Sequence, residues 1–246
     1  LVREQFVKAK EYQKKVKEAG DDPKKRPARD LGMEALVEVL EGKRVVHHHT
    51  HRHDDILTVL RLQKEFGFKV VLHHVSEAWV VADEIAQAGV GASIILIDSP
   101  GGKMEVKDLR LTNGAALEKV GVLTAFHTDD PITDSRWLLR MAGLGLRAGM
   151  SRQKALEALT LSGAKLLDLQ DRVGSLKVGK DADFLLLSGD PLSVYAHVEE
   201  TWVEGKKVFD RSDPKQRLYA TGGYGANRDP ETAAHQLALE GEEIYQ

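Results

Sequence analysis

The sequence predicts an α/β protein with a parallel sheet, followed by a small β-rich part. Short β-type runs alternate with helical stretches over the first two thirds of the chain, which is typical of βα units. Three further β runs then follow one another without helices between them. We therefore expect a sheet-bearing part at 1–168 with the functional residues, a small β part at 169–210 and a C-terminal tail at 211–246.

The elements follow from hydrophobic spacing and from start and stop signals. An amphipathic stripe predicts a helix over 2–19 that ends before Gly20, and a second helix covers 31–40 before Gly42. The strands are predicted over Arg44–His49, Lys69–His74, Val90–Ile97 and Val122–His127. The helices after them are predicted to begin near Asp54, Ser76, Leu111, Asp134 and Ser151, with a last one over Gly163–Leu169. The late β runs are Phe184–Leu187, Val198–Val203 and Lys206–Phe209.

Composition excludes several classes of function. The net charge of −3 gives no basic footprint for nucleic acid. No apolar run approaches the roughly 20 residues that cross a bilayer, so we expect no membrane contact and a soluble protein. The chain starts at Leu1 without a signal or transit pattern, so any signal peptide would precede it and the compartment stays open. Cysteine is absent, so any metal must be held by histidine and carboxylate.

Histidine and aspartate mark the carboxyl ends of the predicted strands. The first strand ends in His49, the second in His74, and the fourth runs into His127 and Asp129. Parallel α/β folds carry their active sites at that edge. Imidazoles together with a carboxylate suit a divalent metal, with zinc favoured. The pattern therefore predicts a metal site in which several strand ends converge.

Side-chain alternation adds a second layer to this site. If His49 points inward, His47 does too, and Asp129 and His127 form the same kind of pair. His47 and His127 would then lie one layer beneath the ligands and orient them; the alternative is that both are ordinary hydrogen-bonded core histidines. By the same alternation His74 would point inward with Val70 and Leu72, and His73 outward.

Three motifs together resemble a known enzyme superfamily. HTHRHDDI at His49–Ile56, HVSEA at His74–Ala78 and TDDP at Thr128–Pro131 resemble the amidohydrolase superfamily, in particular its imidazolonepropionase-like and Xaa-Pro-dipeptidase-like branch. The later runs DRVGSLKVGKDADF and VEGKKVF resemble that superfamily's small β-sandwich. The resemblance extends from the first helix to about residue 210.

The resemblance implies the fold, the chemistry and the ligands. The fold would be the C-terminal half of a TIM-like (β/α)8 barrel followed by part of the β-sandwich. His49 and His74 match the metal-ligating histidines of strands five and six, and Asp129 matches the strand-eight aspartate that binds metal and moves the proton. His51 matches a second histidine of this branch, a substrate or oxyanion contact. The implied reaction is hydrolysis of an amide or cyclic amide by a metal-activated water.

Two departures from the superfamily pattern bear on assembly. The His-x-His pair of a first strand is absent, and no strand-four lysine or glutamate can be placed. Four strands leave two open sheet edges, so we expect the barrel to be completed by an upstream segment, on the same polypeptide or another chain, or by a second copy. A self-paired interface should exceed roughly 1,200 Å² of total buried area.

Two further questions stay open in the sequence. Lys103 follows the turn-rich run after the third strand and either meets a substrate carboxylate or belongs to a plain turn. For the reaction, an amide hydrolase competes with a deaminase of the same superfamily and with a non-catalytic half-barrel that serves binding or assembly. Ammonia release and metal content would separate these alternatives.

Overall fold

The computed structural model describes residues 1–97 and 103–221. The turn residues immediately before Lys103 and the glycine-rich patch beyond Thr221 lie outside the described residues. The chain divides into two compact units, Leu1–Ser175 and Leu176–Gln246, a few residues beyond the boundary predicted at 168. Among the described helices, none combines the length and apolarity needed to cross a bilayer.

The first unit is built on a four-stranded parallel sheet in the order β1-β2-β3-β4. Its strands are β1 Val46–Thr50, β2 Val70–His74, β3 Gly91–Ile94 and β4 Thr124–Phe126. Each overlaps its predicted run, and β3 and β4 are shorter than predicted. Because all four strands point the same way, their carboxyl ends lie along one edge of the sheet.

Helices precede the sheet, connect its strands and follow it. In the described part of this unit they are α1 Val2–Ala19, α2 Leu31–Leu40, α3 His53–Phe66, α4 Ala82–Gln87, α5 Asn113–Lys119, α6 Leu138–Arg147, α7 Arg152–Ala158 and α8 Leu161–Leu166. The stretch predicted from Ser76 forms a 3₁₀ turn over Ala78–Val80 before α4.

Local signals place several helix ends. The Asp30 side chain accepts a hydrogen bond from Met33 N at the start of α2, and Ser151 does the same for Lys154 N at the start of α7. Gly67 ends α3 in the left-handed conformation, at φ 76°, which costs glycine little.

The two faces of the sheet differ in chemistry. One face, which we call the imidazole face, carries His47 and His49 from β1, Val71 and His73 from β2, and Ser93 from β3. The other face is covered by helices. A Cβ added to Gly114 in α5 would lie 3.3 Å from Ile94 Cδ1, and one added to Gly145 in α6 would lie 3.1 Å from Phe126 Cζ.

Apolar residues close the amino-terminal end of the imidazole face. Val71 and Ala125 are buried together with Leu166 of α8, and Val45 and Leu123 pack against them. We call these five residues the apolar floor. Leu166 lies so close to β3 that a Cβ on Gly91 would meet its Cδ2 at 2.4 Å. The histidines therefore lie above an apolar layer, towards the carboxyl ends of the strands.

The second unit contains a three-stranded antiparallel sheet. Its strands are β5 Phe184–Leu187, β6 Val198–Val203 and β7 Lys206–Asp210, in that order, and helix α9 Pro214–Thr221 follows. The three predicted β runs are confirmed almost to the residue. The Phe184 and Trp202 rings stack at 5.5 Å between centroids.

Candidate metal centre

Three imidazoles meet at the carboxyl end of the parallel sheet. One ring nitrogen from each of His49, His51 and His74 lies within 4.8 Å of the others, and they form the one such cluster found in the part of the chain that the structure describes. The Nε2 atoms of His49 and His51 are 2.9 Å apart. The ring centroid of His74 lies 4.3 Å from that of His49 and 4.7 Å from that of His51. We call this group the histidine cluster.

His74 reaches the histidine cluster through an unusual backbone. Strict alternation would turn its side chain towards the helices, since its neighbour His73 lies on the imidazole face. Instead His74 has φ 66° and Val75 has φ 38°, which is uncommon for residues other than glycine and strained for a β-branched one. The regular alternation ends there, and the His74 ring lies beside that of His49.

This geometry corrects the predicted orientation of β2. His74 does contribute to the site, but Val70 and Leu72 do not accompany it, because residues an even number apart share a face only while the strand stays regular. His73, predicted to point outward, hydrogen-bonds His47 on the imidazole face, with 2.8 Å between His73 Nε2 and His47 Nδ1.

His51 lies beyond the end of β1, and its side chain is buried. Its Nδ1 is 2.8 Å from Ser76 Oγ, and both residues are almost fully buried. Its Nε2 is 3.6 Å from Glu105 Oε1. The resemblance predicted a substrate or oxyanion contact for His51. The structure places its ring nitrogen within 4.8 Å of ring nitrogens of His49 and His74, close enough for all three to bind one ion.

Among the described residues, the carboxylates of Asp129 and Glu105 approach the histidine cluster without entering it. Asp129 Oδ2 is 3.5 Å from His74 Nε2, and the Asp129 side chain is 45% exposed. Asp129 also has a positive φ, 52°. Glu105, from the 3₁₀ turn after Lys103, approaches His51 on another side. Glu105 was not predicted from the sequence, because a lone glutamate in a loop carries no spacing signal.

A second group of polar side chains lies directly beneath. His127 Nδ1 is 2.7 Å from Ser93 Oγ, and the His127 ring lies 4.8 Å from His74 and 5.4 Å from His73. His47 contacts His73. His47 and His127 therefore contact histidines in or next to the histidine cluster; whether they form a layer beneath it and orient a ligand stays a prediction.

The surroundings favour a neutral imidazole at His49 and at His73. Burial lowers the pKa of His49, and the neighbouring His74 and the ammonium of Lys103 lower it further. Burial, with added effects of His47, His74 and His49, lowers the pKa of His73 to about 4. A neutral imidazole presents the lone pair that a metal ligand needs. Lys103 therefore affects the site electrostatically.

The donor set suits a divalent cation. Three imidazole nitrogens with a carboxylate at the rim are the ligands typical of catalytic zinc, and no thiolate is present to favour softer metals. His49, His51 and His74 could hold the ion, with Asp129 completing the set after a small side-chain movement.

Comparison with known proteins points in the same direction. A family model described as "Amidohydrolase family" matches residues 20–209. An imidazolonepropionase of Bdellovibrio bacteriovorus is 28% identical over 184 residues, covering 61% of this chain and 42% of that protein. A solved amidohydrolase from Thermotoga maritima is 36% identical with a TM-score of 0.79, covering 85% of this chain and 55% of that one.

A more distant solved structure shares the fold. An adenosine deaminase from Xanthomonas campestris, with bound zinc, has a TM-score of 0.57 at 20% identity, over 88% of this chain and 59% of that one. The present chain thus spans about half the length of these three relatives.

Proposed function

Because this chain belongs to the amidohydrolase family, whose members are metal-dependent hydrolases, we propose that it contributes to the hydrolysis of an amide or cyclic amide C–N bond. The observation that carries the proposal is the convergence of His49, His51 and His74 on one point, with Asp129 Oδ2 3.5 Å from His74. The four parallel strands are the C-terminal part of a TIM-like barrel, and the antiparallel sheet is part of the accompanying β-sandwich.

We assign the metal ligands to His49, His74 and the neighbouring His51, with Asp129 at the exposed rim. Zinc is the proposed ion, in keeping with the imidazole and carboxylate donors and with the zinc of the adenosine deaminase that shares the fold. When bound, such an ion lowers the pKa of a coordinated water towards neutrality and polarises a carbonyl oxygen.

Asp129 is the proposed proton carrier. Its carboxylate is partly exposed, so water and substrate can both reach it, and its Oδ2 lies 3.5 Å from His74 Nε2. It would accept a proton from the attacking water at a carboxylate oxygen and return that proton to the leaving nitrogen. Both transfers need one group between the water and the scissile bond, and the rim position suits this.

Lys103 and Glu105 are the proposed substrate contacts from the loop after β3. Glu105 lies 3.6 Å from His51 Nε2, and the charge of Lys103 acts on His49, so both side chains border the histidine cluster. An ammonium there would bind a substrate carboxylate. A plain structural turn is the alternative, and exchange of Lys103 for Met separates the two by its effect on KM.

A deaminase is the second candidate. Besides the adenosine deaminase with the same fold, an adenine deaminase of Shouchella clausii is 29% identical over 151 residues. Deamination uses the same metal-activated water but expels ammonia. Ammonia release from aminated heterocycles, against ring opening or peptide cleavage of cyclic amides and dipeptides, decides between the two. A protein without bound metal or turnover would instead be a binding or assembly subunit.

Zinc binding tests the proposal directly. We expect the chain to take up zinc in equilibrium dialysis, and His49→Ala and His74→Ala to lose it. His48→Ala is the matched control, because His48 is the adjacent histidine on β1 but alternates to the other face of the sheet. Equal zinc uptake by all four proteins would overturn the assignment.

The proposed small-molecule substrate also requires further protein around the imidazole face. The open edges of the sheet are β1 and β4, and we propose that further barrel strands, from the same polypeptide, another chain or a second copy, cover them. Sedimentation of the chain measures this: a stable monomer that unfolds cooperatively without a partner would contradict it.

A further inference from the structure

A short segment after β2 contacts the connection between β1 and α3 at three successive points. Val75 N donates to Thr50 O at 2.8 Å, and Glu77 N donates to His51 O at 3.0 Å. Between them, the Ser76 side chain contacts His51 Nδ1. The pairing of β1 with β2 therefore continues past the end of β2, with one bond to the residue before His51 and one to His51 O itself.

Glu77 adds a contact to the start of α3. Only 3% of this residue is exposed, and its Oε2 accepts hydrogen bonds from His53 N at 3.0 Å and from His53 Nδ1 at 2.5 Å. The helix has no side-chain cap of its own, because its N-cap residue is Arg52. A carboxylate at the first turn satisfies a donor that would otherwise lack a partner in the helix and suits the helix dipole.

Buried Asn113 supports the segment from behind. Its Nδ2 donates to Val75 O at 3.0 Å, its Oδ1 accepts from Trp79 N at 2.8 Å, and the residue is fully buried. The strained backbone of His74 and Val75 persists only if its surroundings hold it. These bonds, with those to Thr50 and His51, hold it from two sides.

We infer that Ser76 and Glu77 are positioning residues that keep the His51 imidazole oriented with Nε2 towards His49 and His74. The Nε2 atom of His51 can bind a metal ion only if it presents a lone pair. The Nδ1 atom must therefore carry the proton and donate it to Ser76 Oγ. Glu77 acts one step further away, by holding the main chain that follows His51 through its bonds to His51 O and His53 N. Neither residue touches the reacting atoms.

The tautomer of His51 tests the orientation without any metal. In ¹⁵N-histidine-labelled protein at mildly alkaline pH, with His51 assigned by its loss in His51→Asn, we expect the proton on Nδ1. Ser76→Ala should move it largely to Nε2, and Ser76→Thr, which keeps the hydroxyl, should restore it. An Nε2 proton in the unaltered chain, or no change in Ser76→Ala, would overturn the inference.

Zinc affinity tests the consequence, which rests on the proposed function. Loss of a group that orients a ligand costs roughly 10- to 100-fold in metal affinity, so we expect a loss of that order in Ser76→Ala, a smaller one in Glu77→Gln, and recovery in Ser76→Thr. Ser162→Ala, another buried serine, and Asp54→Asn, an exposed carboxylate in the first turn of α3, are the controls.

The two measurements separate the possible failures. A chain that binds no zinc but shows the expected tautomer change refutes the metal assignment and supports the positioning role. A chain that binds zinc equally well with and without the Ser76 hydroxyl refutes the positioning role and leaves the metal assignment intact. Thermal unfolding of the metal-free Ser76→Ala and Ser162→Ala proteins shows whether a loss merely reflects a weakened fold.

Discussion

The two sheets differ in how closely their polar side chains are paired with opposite charges. In the antiparallel sheet charges are paired closely: Lys207 Nζ lies 2.9 Å from Glu200 Oε1 and 2.8 Å from Asp210 Oδ2, and His197 Nε2 lies 2.9 Å from Glu199 Oε1. In the histidine cluster imidazoles face one another, and the carboxylate oxygens of Asp129 and Glu105 lie 3.5 Å from His74 Nε2 and 3.6 Å from His51 Nε2.

That difference distinguishes polar groups that stabilise the fold from polar groups that form a candidate site. Charge-assisted hydrogen bonds are strongest at about 2.7–2.9 Å, so the antiparallel sheet has already satisfied its charges internally. The parallel sheet holds one ring nitrogen from each of three histidines within 4.8 Å of the others, a spacing that suits an added cation. Abundance of polar groups therefore does not identify the site; the way in which they are paired does.

The largest expected effect is on Asp129. In the complete enzyme Asp129→Asn should retain most of its metal and lower kcat by roughly 10²-fold or more, because the amide cannot carry the proton. Steady-state kinetics with zinc analysis on the same samples measure both. Asp130→Asn is the control, since Asp130 accepts hydrogen bonds from Ser135 within its own loop. Unchanged turnover in Asp129→Asn would reject the mechanism.

His127 tests whether the layer beneath the histidine cluster matters. It bonds Ser93 and lies against His74, so we expect His127→Ala to weaken metal affinity or activity by roughly 10- to 100-fold. His197→Ala, which removes the histidine of the antiparallel sheet, should change neither. Equal behaviour of the two variants in zinc competition assays would make His127 an ordinary core histidine.

Gly91 tests the packing of the apolar floor. A methyl group there would meet Leu166 Cδ2 at 2.4 Å and the Leu123 carbonyl oxygen at 3.3 Å, so Gly91→Ala should lower the free energy of unfolding by about 1–3 kcal/mol. Gly163→Ala in α8 has open space around its Cβ and should be neutral or slightly stabilising. Urea denaturation compares them, and equal stability would contradict the packing described.

The smallest expected effect concerns the antiparallel sheet. Hydrogen bonds from Lys207 and Ser212 lower the pKa of Asp210 to about 2. The folded state thus binds this proton less readily than the unfolded chain, so the stabilisation is complete above the ordinary aspartate pKa of about 3.9 and disappears as the pH falls through about 2. Because the Asp210 side chain is partly exposed and its ion pair is screened by solvent, Asp210→Asn should cost little stability.

Denaturation curves of the parent and Asp210→Asn, recorded between neutral and acid pH, check this. The small difference in their free energies of unfolding should be constant near neutrality and close as the solution becomes acidic. A difference that widens in acid would have the wrong sign.

The sequence predicted the parallel sheet and most of its elements, because hydrophobic spacing and helix stop signals are local. It also placed His49, His127 and Asp129 at one edge, since that follows from parallel strands alone. Which side chains of β2 point towards the site could not be predicted. Positive φ at His74 and Val75 depends on tertiary contacts, and a β-branched valine gives no sign of it in the sequence.

The contacts made by side chains from loops could not be predicted from the sequence either. Glu105 reaches His51 from a 3₁₀ turn, and Glu77 reaches His53 across 24 positions of sequence. In both cases spatial proximity comes from chain connections between strands, for which hydrophobic periodicity carries no information.

The apolar floor has a kinetic consequence for any enzyme built on this sheet. Val71, Ala125 and Leu166 are buried together at the amino-terminal end of the imidazole face, beneath the histidines, so this part of the sheet offers a small molecule no exit in that direction. Substrate and product must share the opening at the carboxyl ends of the strands. A retained product then blocks the next substrate, and product inhibition of the complete enzyme is expected to be competitive.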